Sequence, residues 1–150
     1  MKKFVSLLLA MLMVLSLVAC GGDGGQSNTN SGDKVIKIGV FEPLSGDSAS
    51  GGKKEVLGMQ YANSETPTVE LNGETYKVEL VLSDNGSSTD KAPSAASDLV
   101  SKGVSLVLGT YGSGAAMAGG PKFGEAGIAA IGVTCTNPNV TAGNDYYFRI

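Results

Sequence analysis

Apolar and polar positions fall into three regimes along this chain. Phe4 to Val18 is an apolar run broken only by Ser6 and Ser16, with Lys2 and Lys3 in front of it. Gly21 to Lys34 contains no apolar residue and is built from Gly, Ser, Asn, Thr, Gln, Asp and one Lys. From Val35 onward, short apolar runs alternate with polar, glycine-containing loops. Val35–Phe41 reads as a β-strand, Glu42–Gly52 as a loop, and Lys53–Asn63 as a helix that Gly58 weakens by about 1 kcal/mol. Thr68–Leu71 and Thr75–Leu82 form the arms of a hairpin around Asn72-Gly73, a strong two-residue turn signal. After a polar loop, Ser83–Thr89, the spacing of Ala92, Ala95, Ala96, Leu99 and Val100 predicts a helix over Asp90–Lys102, with Gly103 as its stop. Val104–Leu108 is a short apolar strand. Ser113–Ala126 suits a helix interrupted at Gly119-Gly120-Pro121. Ile128–Val133 and Tyr146–Ile150 are the last two strands.

Short apolar strands alternating with helices predict an α/β fold, a parallel sheet covered by helices on both faces. Ligands of such sheets bind beyond the C-terminal ends of the strands. Here those ends are the loops Leu44–Gly52, Ser83–Thr89, Thr110–Ala115 and Thr134–Pro138.

The polar stretch before Val35 cannot bury enough surface to order itself and reads as a flexible linker. The apolar run before it, with its positive start and small residue at the end, describes a secretory signal over residues 1–19. At about fifteen residues it is short for a membrane span of roughly twenty. Leu17-Val18-Ala19-Cys20 followed by Gly21 resembles the bacterial lipobox. That resemblance implies cleavage before Cys20, attachment of lipid to its sulfur, and a mature protein anchored to the outer face of the cell membrane. Two or more acyl chains hold such an anchor firmly.

Residues 35–150 leave room for one domain. The net charge is −3 and the isoelectric point about 4.8, with no basic patch to attract nucleic acid. The sequence has no histidine, which removes Ser-His-Asp and Cys-His catalysis and histidine-bound metal. No catalytic residue, cofactor or metal is expected. If Cys20 carries lipid, Cys135 is the one remaining cysteine, and a lone cysteine in an apolar run is usually buried and inert.

Several stretches match a known family in order and spacing. Ile36-Lys37-Ile38-Gly39-Val40 followed by Pro43-Leu44-Ser45-Gly46 resembles the opening of substrate-binding proteins of branched-chain amino acid ABC transporters. So do Asp90-Lys91-Ala92 leading into Ala95–Val100, Val107-Leu108-Gly109 with Ser113, and Thr134-Cys135-Thr136-Asn137-Pro138. The resemblance covers the lipobox and all of Lys34 to Ile150. It implies a type I periplasmic binding protein, in which two α/β lobes close on a ligand and dock on a membrane permease without catalysing a reaction. It also implies that residues 35–150 are the first lobe, truncated, of a monomeric protein.

A free amino acid presents a carboxylate and an ammonium. A helix N-terminus offers unpaired N–H groups and partial positive charge to the first. Ser113-Gly114-Ala115 opens the helix after the strand at Val104–Leu108. Ser113 matches the family's carboxylate-binding serine, and Gly114 would let a ligand approach the backbone. Ser113 could instead serve only as an N-cap worth about 1 kcal/mol. Thr134, Cys135 and Thr136 match the second contact loop. The resemblance gives the Thr134 carbonyl to the ammonium, and the Thr136 hydroxyl and N–H to either ligand end. The bland alternative is a polar loop satisfying its own backbone. The first loop departs from the family, because Ala49-Ser50-Gly51-Gly52 stands where an aromatic residue often covers the ligand side chain.

Other motifs fail on spacing. Gly46 to Lys54 misplaces the lysine of a phosphate loop and lacks the following Ser or Thr. Gly112-Ser113-Gly114 begins a dinucleotide fingerprint, but Met117 replaces its third glycine. Asp84, Asp90 and Asp98 do not fit a calcium loop. Asn85-Gly86-Ser87 and Asn139-Val140-Thr141 read as ordinary loops despite their glycosylation pattern. Beside the transporter component stand two alternatives: a sensor domain of the same fold, which a neighbouring kinase or chemoreceptor gene would favour, and a non-functional truncated fragment.

Overall fold

The computed structural model of the protein describes residues 34–150. The expected signal sequence, Cys20 and the linker up to Asp33 lie outside the described residues. The strands are β1 (Val35–Glu42), β2 (Thr68–Leu71), β3 (Glu74–Asp84), β4 (Leu106–Leu108), β5 (Ala129–Gly132) and β6 (Tyr147–Arg149). The helices are α1 (Ala49–Glu65), α2 (Ala92–Ser101) and α3 (Ser113–Glu125), with a 3₁₀ turn at Pro138–Val140. The sheet runs in the order β2-β3-β1-β4-β5-β6. All its pairs are parallel except β2 with β3. That edge pair is the expected hairpin. Asn72 and Gly73 both take positive φ, 53° and 79°, the geometry of a type I′ turn.

The two phases of β1 serve two faces. Gly39 and Phe41 point toward α2 and α3. A Cβ on Gly39 would meet Val107, Leu99 and Val104, and Phe41 packs edge-on against Phe123 with ring centroids 5.4 Å apart. Phe41, Ala92, Ala96, Leu99, Val107, Ala116, Phe123 and Ala130 form one fully buried cluster there. Ile38 points the other way, toward α1, and lines a hollow of about 510 Å³ with Met59, Ala62, Val78, Leu80, Leu108 and Val133. Helices therefore cover both faces, as the alternation predicted.

Two helices differ from expectation. The first begins at Ala49, inside the predicted loop. Its start is set by tertiary contact. Ser48 N–H donates to Ser87 Oγ (2.9 Å), and Gly52 packs against Pro43, which a larger residue would prevent. The third helix runs unbroken from Ser113 through Pro121 to Glu125. Gly119 and Gly120, expected to interrupt it, are buried against Phe41 and Tyr147. Pro121 cannot donate to the Met117 carbonyl one turn back, but both residues are exposed, so that carbonyl remains open to water.

Candidate functional site

The four loops beyond the C-terminal strand ends are knitted together by hydrogen bonds. The Asp84 carboxylate, at the end of β3, accepts from Leu44 N (2.8 Å), Ser45 Oγ (2.6 Å) and Gly86 N (2.8 Å). Burial alone would raise its pKa, but these donors outweigh it and hold Asp84 below the usual carboxylate value. Ser87 Oγ donates to the Ser45 carbonyl at 3.0 Å. The fully buried Asn85 donates through Nδ2 to Thr110 Oγ1 at 2.8 Å. Tyr147 Oη donates to the Gly109 carbonyl at 2.8 Å, and Cys135 Sγ to the Thr110 carbonyl at 2.9 Å. The loop after β4 is thus braced from three sides.

Ser113 is the first residue of α3. Gly112 holds the N-cap position and makes no side-chain cap, so Ser113 is not an N-cap. Its Oγ accepts from Asn137 N–H at 3.3 Å, tying the α3 entrance to the loop after β5. Gly114 is exposed, and a Cβ there would only touch Thr89 at 3.4 Å. Thr134 and Thr136 are exposed on the loop after β5. The structure therefore brings Ser113, Gly114, Thr134 and Thr136 to one rim. Cys135 faces inward instead. It is 1% exposed, and burial pushes its thiol pKa up. It supports the loop from beneath.

Three residues of this rim were not singled out from sequence. Glu42 closes β1, on the same phase as Ile36, Ile38 and Val40, and is fully buried. Its Oε2 accepts from Tyr111 N–H at 2.9 Å. Burial first, and then the neighbouring Glu55 carboxyl, raise its pKa from 4.5 to about 9, against the opposing Tyr111 N–H. Glu55, on α1, accepts from Thr134 Oγ1 at 2.6 Å. Tyr111 is the third. A Cβ on Gly51 would fall 2.6 Å from its ring, so the ring fills the space that Gly51 leaves on α1. The charged residue in an apolar strand phase was a usable signal for Glu42. Nothing in the sequence linked it to Glu55, thirteen positions away.

Residues 35–150 match the family described as "Periplasmic binding protein". The chain is 31% identical over 140 residues to a Leu/Ile/Val-binding protein homolog 3 of Brucella melitensis, covering 92% of this chain and 37% of that one. The structure is similar to a leucine binding protein, LivK, from Thermotoga maritima (TM-score 0.71, 32% identity, 77% of this chain and 32% of that one). It is also similar to the branched-chain amino acid transporter substrate binding protein LivJ of Streptococcus pneumoniae, solved with isoleucine (TM-score 0.68, 33% identity, 77% of this chain and 33% of that one). A solute binding protein of R. palustris solved with benzoate also matches (TM-score 0.65, 28% identity, 77% of this chain and 32% of that one). The chain spans about a third of the length of these relatives. Its fold is that of a type I periplasmic binding protein lobe, and the chain belongs to the periplasmic binding protein family.

Proposed function

We propose that this chain supplies the first lobe of an extracytoplasmic solute-binding protein of an ABC importer. It captures an amino acid, of the branched-chain type, and delivers it to a membrane permease. The observation that carries this reading is the Asn137 N–H to Ser113 Oγ bond, which sets the exposed Thr134 and Thr136 beside the open N-terminus of α3. The N–H groups of Ser113, Gly114 and Ala115 suit a carboxylate. The loop carbonyls and hydroxyls of Thr134 and Thr136 suit an ammonium. Tyr111, 43% exposed over Gly51, offers an apolar face to the ligand side chain.

A carboxylate is common to amino acids and to benzoate, so the ammonium is what separates the two ligand classes. The leucine- and isoleucine-binding relatives support the amino acid. Calorimetry on the full-length protein with leucine, isoleucine, valine and benzoate tests the choice. Binding of benzoate alone would overturn it. Ser113→Ala is expected to weaken leucine binding by about 1–3 kcal/mol, the loss of a hydrogen bond to a charged group. An unchanged dissociation constant would reduce Ser113 to support for Asn137. The lipid anchor at Cys20 predicts that Cys20→Ser leaves the membrane fraction for the soluble one. Continued sedimentation with membranes would count against it. The protein acts as a monomer, without nucleic acid and without catalysing a reaction.

A further inference from the structure

The neighbouring carboxyl groups of Glu42 and Glu55 interact at this rim with too few donors for their oxygens. Glu42 Oε2 takes the Tyr111 N–H, and Glu55 Oε1 takes the Thr134 hydroxyl. The oxygen left on each, Glu42 Oε1 and Glu55 Oε2, is buried and has no protein donor. Two facing carboxylates would repel and would leave both atoms unpaired, at a high cost in a buried site. One proton removes both difficulties, because a carboxylic acid donates one hydrogen bond to a carboxylate.

We propose that Glu42 and Glu55 share a single proton and act as positioning residues for Thr134, so that the shape of the ligand rim depends on pH. The chain of contacts runs from Tyr111 N–H through Glu42 and Glu55 to the Thr134 hydroxyl. It ties the loop after β4, the end of β1, helix α1 and the loop after β5. The Thr134 hydrogen is spent on Glu55, which fixes the side chain and steadies the carbonyl offered to a ligand. When the shared proton leaves, two negative charges face each other, and α1 with the Thr134 loop is pushed from the sheet.

Other titratable groups surround the pair. Cys135 and Tyr147 feel its charge, and burial drives both of their pKa values upward. Arg149, on β6, bears on Cys135 and is exposed. Lys53 and Lys54, beside Glu55 on α1, are exposed to solvent.

The consequence for affinity rests on the amino-acid reading above, but the pair can be tested without a ligand. Full-length protein and its Glu42→Gln variant are melted across about pH 5 to 10. The amide of Glu42→Gln can still donate to Glu55 but has no proton to lose. The wild-type melting temperature should fall toward alkaline pH while that of Glu42→Gln holds. Superimposable profiles would overturn the proposal. If Glu42→Gln does not fold, carbon-13 titration of the glutamate carboxyls in the wild type decides. One resonance should keep its proton well past neutrality, and titration of every glutamate below about pH 6 would overturn the pair. Leucine affinity is then compared between the two proteins at each pH, where the ligand's own amine titrates equally. The wild type should lose at least about fivefold more affinity than the variant at the alkaline end, and equal losses would reject the positioning of Thr134. Absence of leucine binding by the wild type would sink the amino-acid reading, and the melting profile alone would then decide the pair.

Discussion

On the sheet face under α2 and α3, Phe41, Val107, Ala130, Leu99 and Phe123 are all fully buried. On the opposite face, Ile38, Leu80 and Leu108 remain partly exposed, and α1 buries only Gly52 and Val56. Leu57 and Tyr61 of α1 are about two-thirds exposed, at 66% and 67%. The same parallel strands feed both sides, so strand sequence does not explain the difference. Two helices close one face, and a single helix leaves a hollow of about 510 Å³ on the other. The closed face accounts for most of the packing. The open face carries the buried acid pair and, with it, a link to the loops after β4 and β5.

That contrast predicts where a substitution hurts most. Phe41 fills the centre of the closed face, edge-on to Phe123 at 5.4 Å. Phe41→Ala should cost about 3–5 kcal/mol through lost burial and the cavity left behind. Urea unfolding of the full chain measures it. A loss below about 1 kcal/mol would mean that the closed face collapses freely and is not the tighter of the two.

The second effect belongs to the open face and depends on pH. The pKa of Glu42 is raised to about 9 in the folded state, from its ordinary 4.5. The folded protein therefore keeps a proton that the unfolded chain releases within this window. The stabilising contribution is complete below about 4.5, declines as pH rises, and is gone above about 9. Its slope is at most about 1.4 kcal/mol per pH unit. Denaturant midpoints across this range should drift downward toward alkaline pH. A flat or rising profile would move the origin of α1 docking away from the acid pair.

Much of this architecture was legible because local chemistry and the fold agreed. Asn72-Gly73 fixed the hairpin through two positive φ angles. The alanines of α2 fell at helical spacing and became its buried stripe. Where reading failed, contacts between distant segments overrode local preference. Ala49 to Gly52 looked like loop because its glycines disfavour a helix. Those glycines instead admit Pro43 and the Tyr111 ring. Gly119-Gly120 looked like a break and is a packing surface. Ser113, Gly114, Thr134 and Thr136, picked out by the order of motifs, lie together at one rim. Cys135 lies beneath the loop, because Gly132 leaves room for its sulfur. The Glu42–Glu55 pairing was hidden, since no periodicity relates a strand end to the middle of the following helix.

A third prediction uses glycine to probe the closed face. A Cβ on Gly119 would fall 2.6 Å from Phe41 Cζ and 3.0 Å from the Ala92 carbonyl oxygen. Gly119→Ala gains helix propensity of about 1 kcal/mol, but overpacking of this kind costs about 1–3 kcal/mol. The net effect should be a lower melting temperature. A higher one would show that α3 can move away from the sheet, and the closed face would then be more compliant than its burial implies.

The smallest effect has the opposite sign and sits on the open face. Gly58 is exposed in the middle of α1, and a Cβ there would meet nothing within 4 Å. Gly58→Ala should therefore express propensity alone and raise stability by about 0.5–1 kcal/mol. The same chemical change at Gly119 and Gly58 thus has opposite outcomes, decided only by what stands opposite each residue. Thermal melts of both variants, run side by side, read the two signs directly. If Gly58→Ala also destabilises, something packs over the middle of α1 in the full chain, and the open face is not open there.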